Sequence, residues 1–179
     1  TLIPAAVAEV QSVSAALAER GIETEMLTNE ESTLAALQTL AQNRDILHLA
    51  CHGLFRADNP MFSSVKLHDG WLSAADVVGL DLKDALVTLS ACESGRGTVL
   101  QGDEVIGLPR AFLGAGAASV VVSLWLVQDE TTVTLMMHFY DRLREGVGRS
   151  AALREAQRAL RERYSHPYYW APFILIGHR

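Results

Sequence analysis

The chain has 179 residues and a formal net charge of −6 at pH 7, which suits one domain with a substantial core and argues against general affinity for nucleic acid. Hydrophobic residues make up 49% of the chain, yet no apolar run is long enough to span a bilayer. Two cysteines cannot build a disulfide framework, which predicts reduced thiols and a cytoplasmic location.

The first part of the chain is predicted to alternate helices with strands. Apolar residues at helical spacing predict an amphipathic helix over residues 4–20, which stops at Gly21. Alternation of apolar and polar residues over Ile22–Leu27 predicts a half-buried strand. A second helix is expected to begin at an N-cap, either Asn29 or Ser32.

The middle of the chain contains a buried strand and a hairpin. Ile46–Gly53 is an apolar run that predicts a strand, and the aperiodic stretch after it predicts a surface loop. Residues 65–72, with Asp69-Gly70 at their centre, are typical of a β-hairpin. Ser73, followed three residues later by an aspartate, predicts the start of a short helix that ends at Gly79.

The second half of the chain continues the alternation. The predicted elements are a strand at Leu86–Ala91, a helix at Gly102–Gly116, a strand at Ser119–Val127, a long helix capped by Asp129, a last helix opening at Ser150 and a final strand at Trp170–Ile176. Short buried strands between helices are typical of an α/β fold, with a mostly parallel sheet covered by helices on both faces. Because the chain opens on a helix where such a fold normally has a strand, we expect it to be the C-terminal piece of a larger protein that supplies the first strand. The alternative is an α/β fold that simply begins with a helix.

Two of the predicted strands end in residues that are suited to nucleophilic catalysis. One strand ends at His52, and another ends at Cys92 followed by small and glycine residues that indicate a turn. If the two strands are parallel neighbours, both residues lie at the edge where ligands bind in open α/β sheets. A thiol needs a base to become a nucleophile at neutral pH, and an imidazole is suited to that role. Backbone N–H groups of Gly53 and Cys92 are candidates for an oxyanion hole.

Other interpretations of these residues are structural. A lone cysteine is often a buried, inert core residue, and Cys51 is expected to be one, because neighbouring strand residues point to opposite faces. His48 and His52 share a face, which raises the question of a metal site. However, His48 lies about 13 Å back along a regular strand at ~3.3 Å per residue, too far for joint ligation with Cys92. We therefore expect no metal and no cofactor.

Several motifs in the same order resemble those of CHAT domains, which are caspase-like cysteine peptidases related to separase. The segments that carry the resemblance are His48–Gly53, Leu89–Gly95, Gly102–Leu108, Ala111–Ala117, Ser123–Glu130, Phe139-Tyr140 and Tyr168–Phe173. The resemblance implies a caspase-like three-layer sandwich and one CHAT domain over residues 1–179. It also implies that His52 is the general acid/base and Cys92 the nucleophile, with Gly53 and Cys92 donating to the oxyanion.

The residues that would select the substrate are less clearly marked. Related arginine-specific families often carry an acid two positions before the catalytic cysteine, where this chain has Ser90. Asp129 lies in a segment that resembles a motif of separase, in which an acid can line the pocket for a basic residue before the cleaved bond. Capping of a helix explains Asp129 equally well. Glu93, beside the nucleophile, either contributes to charge preference or faces water. We therefore treat Ser90, Asp129 and Glu93 as candidate pocket residues.

The resemblance implies an endopeptidase that cleaves a specific partner protein in a bacterial defence or cell-death system. Tetratricopeptide repeats or similar sensor modules commonly precede CHAT domains, so we expect a sensor domain outside this chain to control activity. No direct nucleic-acid or membrane partner is expected. The alternative is a catalytically inactive caspase-like scaffold that binds a partner protein.

Overall fold

The computed structural model describes residues 4–54, 56, 59–93, 107–125 and 129–178, and of residues 4, 5, 60, 91–93 and 129 it describes the backbone alone. These residues form a single sheet whose strands are β1 (Ile46–Leu54), β2 (Ser64–Lys66), β3 (Trp71–Ser73), β4 (Leu86–Glu93), β5 (Ser119–Ser123) and β6 (Phe173–Gly177). Their order across the sheet is β3-β2-β1-β4-β5-β6. The central strands β1, β4 and β5 are parallel, and the outer pairs are antiparallel.

Helices cover both faces of this sheet. They are α1 (Pro4–Ala18), α2 (Leu34–Leu40), α3 (Ala74–Val78), α4 (Gly107–Gly114), α5 (Asp129–Arg144) and α6 (Arg149–Arg163). Val87 and Leu89 of β4 pack in the core on the side of α2, α3 and α4. Leu86 of the same strand and Val121 of β5 pack on the side of α1, α5 and α6. This alternation builds three layers and confirms the predicted α/β class, with a mostly parallel sheet core between two layers of helices.

Several local predictions are confirmed because short-range chemistry decides them. Gly21 ends α1 with φ +73°, a left-handed conformation that only glycine adopts without cost. The predicted hairpin forms as β2 and β3. Ser73 and Asp76 form a capping box at the start of α3, in which the Asp76 carboxylate accepts from the Ser73 hydroxyl at 2.6 Å and from its backbone N–H at 2.9 Å. These hydrogen bonds lower the pKa of Asp76 from its ordinary value.

The predicted strand at Ile22–Leu27 is wrong. Residues 22–28 have no regular secondary structure, and the N–H of Ile22 donates to the carbonyl of Leu17 at 3.1 Å, which closes the end of α1. A strand needs a ladder partner for its backbone groups, and no described strand pairs with this segment. Alternation of apolar and polar residues is typical of an extended segment, but it cannot show whether a second strand lies beside that segment.

Two predicted helix starts are also displaced. Thr33 caps α2, since its hydroxyl accepts from the N–H of Ala36 at 3.2 Å. Neither Asn29 nor Ser32 does so, because Asn29–Glu31 forms a separate 3-10 turn. The last helix opens one residue before Ser150, because the carbonyl of Gly148 already accepts the first helical hydrogen bond, from Ala152 at 2.9 Å.

The final strand begins later than predicted. Pro167–Tyr169 forms a 3-10 turn, and the N–H groups of Trp170 and Ala171 both donate back to the carbonyl of Pro167. The chain is therefore still turning at Trp170, and β6 starts at Phe173. The predicted helix at Gly102–Gly116 and the predicted strand at Ser119–Val127 are present as α4 and β5, but α4 ends at Gly114 and β5 ends at Ser123, earlier than predicted. Residues 102–106, 126 and 127 lie outside the described part of the chain.

One edge of β1 is largely unpaired. Strand β2 pairs with β1 only through Gly53 and Leu54, and no described strand pairs with residues 46–52 along that edge. Each residue from 46 to 52 is half-buried, whereas residues 86–90 of β4 are all buried. The described part of β1 therefore borders solvent although two strands lie beyond it in the sheet. Of the helices described above, none has the length and apolar character needed to cross a membrane.

Candidate active site

The two predicted catalytic residues are partners in the sheet. Strands β1 and β4 are parallel neighbours over eight consecutive residue pairs, and in this register His52 lies directly opposite Cys92. Neighbouring strands are about 4.8 Å apart, so the backbones of the two residues are in close proximity. Both lie toward the carboxyl ends of their strands, which is the edge at which α/β folds bind ligands.

Gly53 lies at the same edge. It is buried, it is the register partner of Glu93 on β4, and it is also the register partner of Val65 on β2. His52 beside it is half-buried. The predicted base, the predicted nucleophile and the predicted oxyanion donors therefore fall on two consecutive rungs of one ladder.

The candidate pocket residues fall in three different settings. Ser90 is 6% exposed, and its hydroxyl donates to the carboxylate of Glu9 at 2.9 Å. Glu93 lies next to the predicted catalytic pair, opposite Gly53. Asp129 is the first residue of α5, and its side chain is outside the described part of the structure, as are residues 94–106, which follow the cysteine turn.

Directly before the predicted catalytic pair, a buried polar network joins helices to both strands. Glu9 of α1 uses one carboxylate oxygen for Ser90 of β4 and the other, at 2.9 Å, for Nε2 of His48 on β1. The other ring nitrogen of His48, Nδ1, lies 2.7 Å from the hydroxyl of Tyr140 on α5. Tyr140 in turn donates to the hydroxyl of Thr88 on β4 at 3.0 Å. We call these five residues the Glu9 network.

The environment keeps the Tyr140 phenol protonated. Burial raises the pKa of Tyr140 well above its ordinary value, and the negative charge of Glu9 raises it further, while the hydrogen bond to Thr88 acts in the opposite direction. A neutral phenol carries one proton, and Tyr140 uses that proton to donate its hydrogen bond to Thr88. Tyr140 therefore acts as a fixed bridge between β1 and β4 and not as an acid or base at neutral pH.

Sequence reasoning missed this network. Glu9 interrupts the apolar face of α1, since Val13 and Ala16 follow it at helical spacing and are buried with it. Thr88 and Ser90 are polar positions in an otherwise apolar buried strand. Polar residues on faces predicted to be buried were the available signal, although nothing in the sequence indicates which of them meet.

His48, which was considered as a metal ligand, has protein partners at both of its ring nitrogens. Both ring nitrogens are within hydrogen-bonding distance of protein groups, Glu9 and Tyr140. Cys51, between His48 and His52 in sequence, packs against the core on the opposite face of the sheet, which confirms its predicted place.

The fold and a match to a family model identify the class of protein to which this chain belongs. The chain matches the family model of the CHAT domain over residues 2–178, and so it belongs to this family of caspase-like domains related to cysteine peptidases. The match covers nearly the whole chain and confirms the family that its ordered motifs resemble.

Part of the chain is similar to two proteins that are named for tetratricopeptide repeats. Tetratricopeptide repeat protein 28 of Homo sapiens is 44% identical over 108 residues, which are 59% of this chain and 4% of that protein. The protein of the same name in Mus musculus is 41% identical over 108 residues, again 59% of this chain and 4% of the relative. The matched region is therefore a small part of each relative.

Proposed function

We propose that this domain is a cysteine endopeptidase that cuts a specific partner protein with His52 and Cys92. His52 takes the thiol proton, and the sulfur of Cys92 attacks the carbonyl carbon of the scissile peptide bond. Backbone N–H groups of Gly53 and Cys92 stabilise the oxyanion. The C–N bond then breaks, and the leaving amine takes the proton from His52. Water hydrolyses the thioester and restores the thiol.

The observation that carries this proposal is the register that pairs residue 52 with residue 92. A shift of one residue in either strand would place the two residues on different rungs, and side chains one position apart point to opposite faces. Membership of the CHAT family supports the same assignment. The strand pairing and the family motifs support the same pair of residues.

The substrate class and the control of activity belong to the same proposal. Regulated cleavage of one partner protein, in a bacterial defence or cell-death system in the cytoplasm, is the role that the family resemblance implies. A tetratricopeptide-repeat or similar sensor domain outside this chain would control the domain, and the names of the similar human and mouse proteins support this part. The hydroxyl of Ser90 is engaged by Glu9, so Glu93 and Asp129 are the remaining candidates for contact with substrate.

We also propose that a further parallel strand, from polypeptide outside residues 1–179, adds to the unpaired edge of β1. The support is that residues 46–52 have no strand partner on that side among the described residues, while residues 86–89 of β4 have strands on both sides. Such a strand would cover the unpaired edge of β1 next to His52.

A thiol-directed peptide probe tests the catalytic assignment. We expect the probe to modify Cys92 in the wild-type protein, and we expect His52→Ala to slow that modification by roughly 10²–10⁴-fold, the usual contribution of a positioned base. The modified residue is identified by mass spectrometry. Cys51 is the internal control, because it lies on the opposite face and its labelling should not depend on His52.

The inactive scaffold is the competing outcome of the same experiment. Equal labelling of Cys51 and Cys92, unchanged by His52→Ala, would support a protein that only binds its partner. In that case Cys92→Ala should leave partner binding and partner integrity unchanged. In the peptidase, Cys92→Ala should abolish partner cleavage without unfolding the domain.

A further inference from the structure

The Glu9 network lies on the rungs that directly precede the proposed catalytic pair. In the ladder of β1 and β4, His48 lies opposite Thr88, and two residues further on Ser90 occupies the next rung of the same alternation. The pair of His52 and Cys92 follows two residues later. A residue advances ~3.3 Å along a strand, so the backbone of Ser90 is only about 7 Å from the backbone of Cys92.

Each of these rungs is held from outside the sheet by a helix. Tyr140 of α5 bridges the rung of His48 and Thr88. Glu9 of α1 bridges diagonally, from His48 on β1 to Ser90 on β4, and uses both of its carboxylate oxygens. Any displacement of one catalytic strand along the other would therefore break at least one of these hydrogen bonds.

Stability alone does not explain why such groups are buried here. Glu9 is 7% exposed, and burying a carboxylate carries a desolvation cost that its partners only offset. Well-packed apolar residues of similar size are often as stable or more stable at such positions, as the apolar remainder of this core illustrates. What apolar contacts lack is direction, because hydrogen bonds fix relative position more narrowly than packing does.

We propose that Glu9 is a positioning residue of the peptidase site: through Ser90 and His48 it fixes β4 and β1 relative to each other and to α1, and thereby fixes the geometry of His52 and Cys92. This inference rests on the proposed function. Glu9 itself contacts neither reacting group; it acts through the strands. Reaction rates are sensitive to such placement, since a displacement of 1 Å can cost on the order of 10²-fold.

The variants Glu9→Ala and Glu9→Gln separate placement from mere presence of a charge. Alanine removes both hydrogen bonds, whereas a glutamine amide offers a donor and an acceptor at the same positions and can satisfy both partners. We expect Glu9→Ala to lower the rate of Cys92 modification by the peptide probe about tenfold or more, and Glu9→Gln to stay within about twofold of wild type. Glutamine as damaging as alanine would overturn the positioning role, because charge would then be the property that matters.

Ser90→Ala provides a second variant if Glu9→Ala fails to fold. It breaks the link to β4 alone, and we expect it to slow Cys92 modification in the same direction. The matched control is Ser119→Ala, which removes another buried strand hydroxyl, bonded to Arg149 at 3.0 Å near the opposite end of the sheet. It should lose comparable thermal stability with no change in the rate at Cys92.

The results also distinguish this inference from the proposed function. A wild-type protein whose Cys92 labelling does not depend on His52 would refute the peptidase assignment itself. His52-dependent labelling that survives both Glu9→Ala and Ser90→Ala unchanged, in folded protein, would overturn only the role of Glu9. A rate that falls in step with thermal stability across all variants, Ser119→Ala included, would also overturn it.

Discussion

At the residue scale, the capping box of α3 shows local chemistry that the sequence predicts and the structure confirms. The Ser73 hydroxyl accepts from the N–H of Asp76 at 3.3 Å and also donates to its carboxylate. The two residues are only three positions apart in sequence, so no tertiary arrangement is needed to bring them together. This is why the start of α3 was predictable from four residues.

We expect Ser73→Ala to lower the free energy of unfolding by about 1 kcal/mol at pH 7, the usual cost of losing an N-cap. Part of this contribution depends on pH, because the folded pKa of Asp76 is lowered. The stabilisation from its carboxylate is therefore present above the unfolded value of about 3.9 and is lost as the pH falls through the folded value. Chemical denaturation at pH 7 and at pH 3 measures the difference.

Ser12→Ala, an exposed position of α1, is the control for this experiment. It should change the free energy of unfolding by no more than about 0.5 kcal/mol at either pH. A cost of Ser73→Ala that is the same at both pH values would show that the carboxylate of Asp76 does not take part.

The Glu9 network shows the limit of prediction at the same scale. Its members lie on four elements that are far apart in sequence, from residue 9 to residue 140. Each residue alone has an ordinary explanation, such as a helix surface acid or a core tyrosine. Only the packing of α1 and α5 onto β1 and β4 brings them together, and a single sequence carries no record of that packing.

At the scale of elements, periodicity predicted which segments are helices and which are buried strands, and failed where a neighbour decides. Ile46–Gly53 and Leu86–Ala91 were predictable because a continuous apolar run needs burial on both faces. Ile22–Leu27 has an equally regular pattern, yet it is not a strand, since no described strand lies beside it. Pairing is a property of two segments, and the pattern describes one.

The end of β6 depends on a glycine at close range. Gly177 has φ +107°, and a Cβ at this position would lie 2.6 Å from the carbonyl oxygen of Ala118. We expect Gly177→Ala to destabilise the protein by about 1–3 kcal/mol, because the backbone must move away from β5. Gly114→Ala is the control, since a Cβ there meets nothing within 4 Å. Thermal unfolding should show a loss for the first variant and none for the second.

The unpaired edge of β1 predicts an alternating pattern of hydrogen exchange. Successive N–H groups of a strand point to opposite neighbours, so in residues 46–52 those directed at β4 should be protected and those directed away should exchange quickly. The amides of residues 86–89 in β4, with strands on both sides, should be protected throughout. Uniform protection of residues 46–52 in this chain would mean that the edge is covered and would contradict the proposed place for an additional strand.

At the scale of the whole molecule, the three layers explain why the proposed site lies where it does. The two helical layers cover the sheet faces, so the edge formed by the carboxyl ends of β1 and β4 is where a peptide can approach the proposed catalytic pair. The family could be predicted from the ordered motifs, and the place of this edge from the two motifs that contain His52 and Cys92, because each of these two lies toward the end of a strand. The Glu9 network, which lies on the residue pairs before this edge, could not be predicted from the sequence.

The most direct test of the peptidase assignment is cleavage of a proteome-derived peptide library by the purified full-length protein, read as new amino termini by mass spectrometry. We expect termini that share one sequence pattern, that disappear in both Cys92→Ala and His52→Ala, and that persist in Cys51→Ala. Termini that survive Cys92→Ala, or the same set of termini with and without the wild-type protein, would contradict a peptidase built on residues 52 and 92.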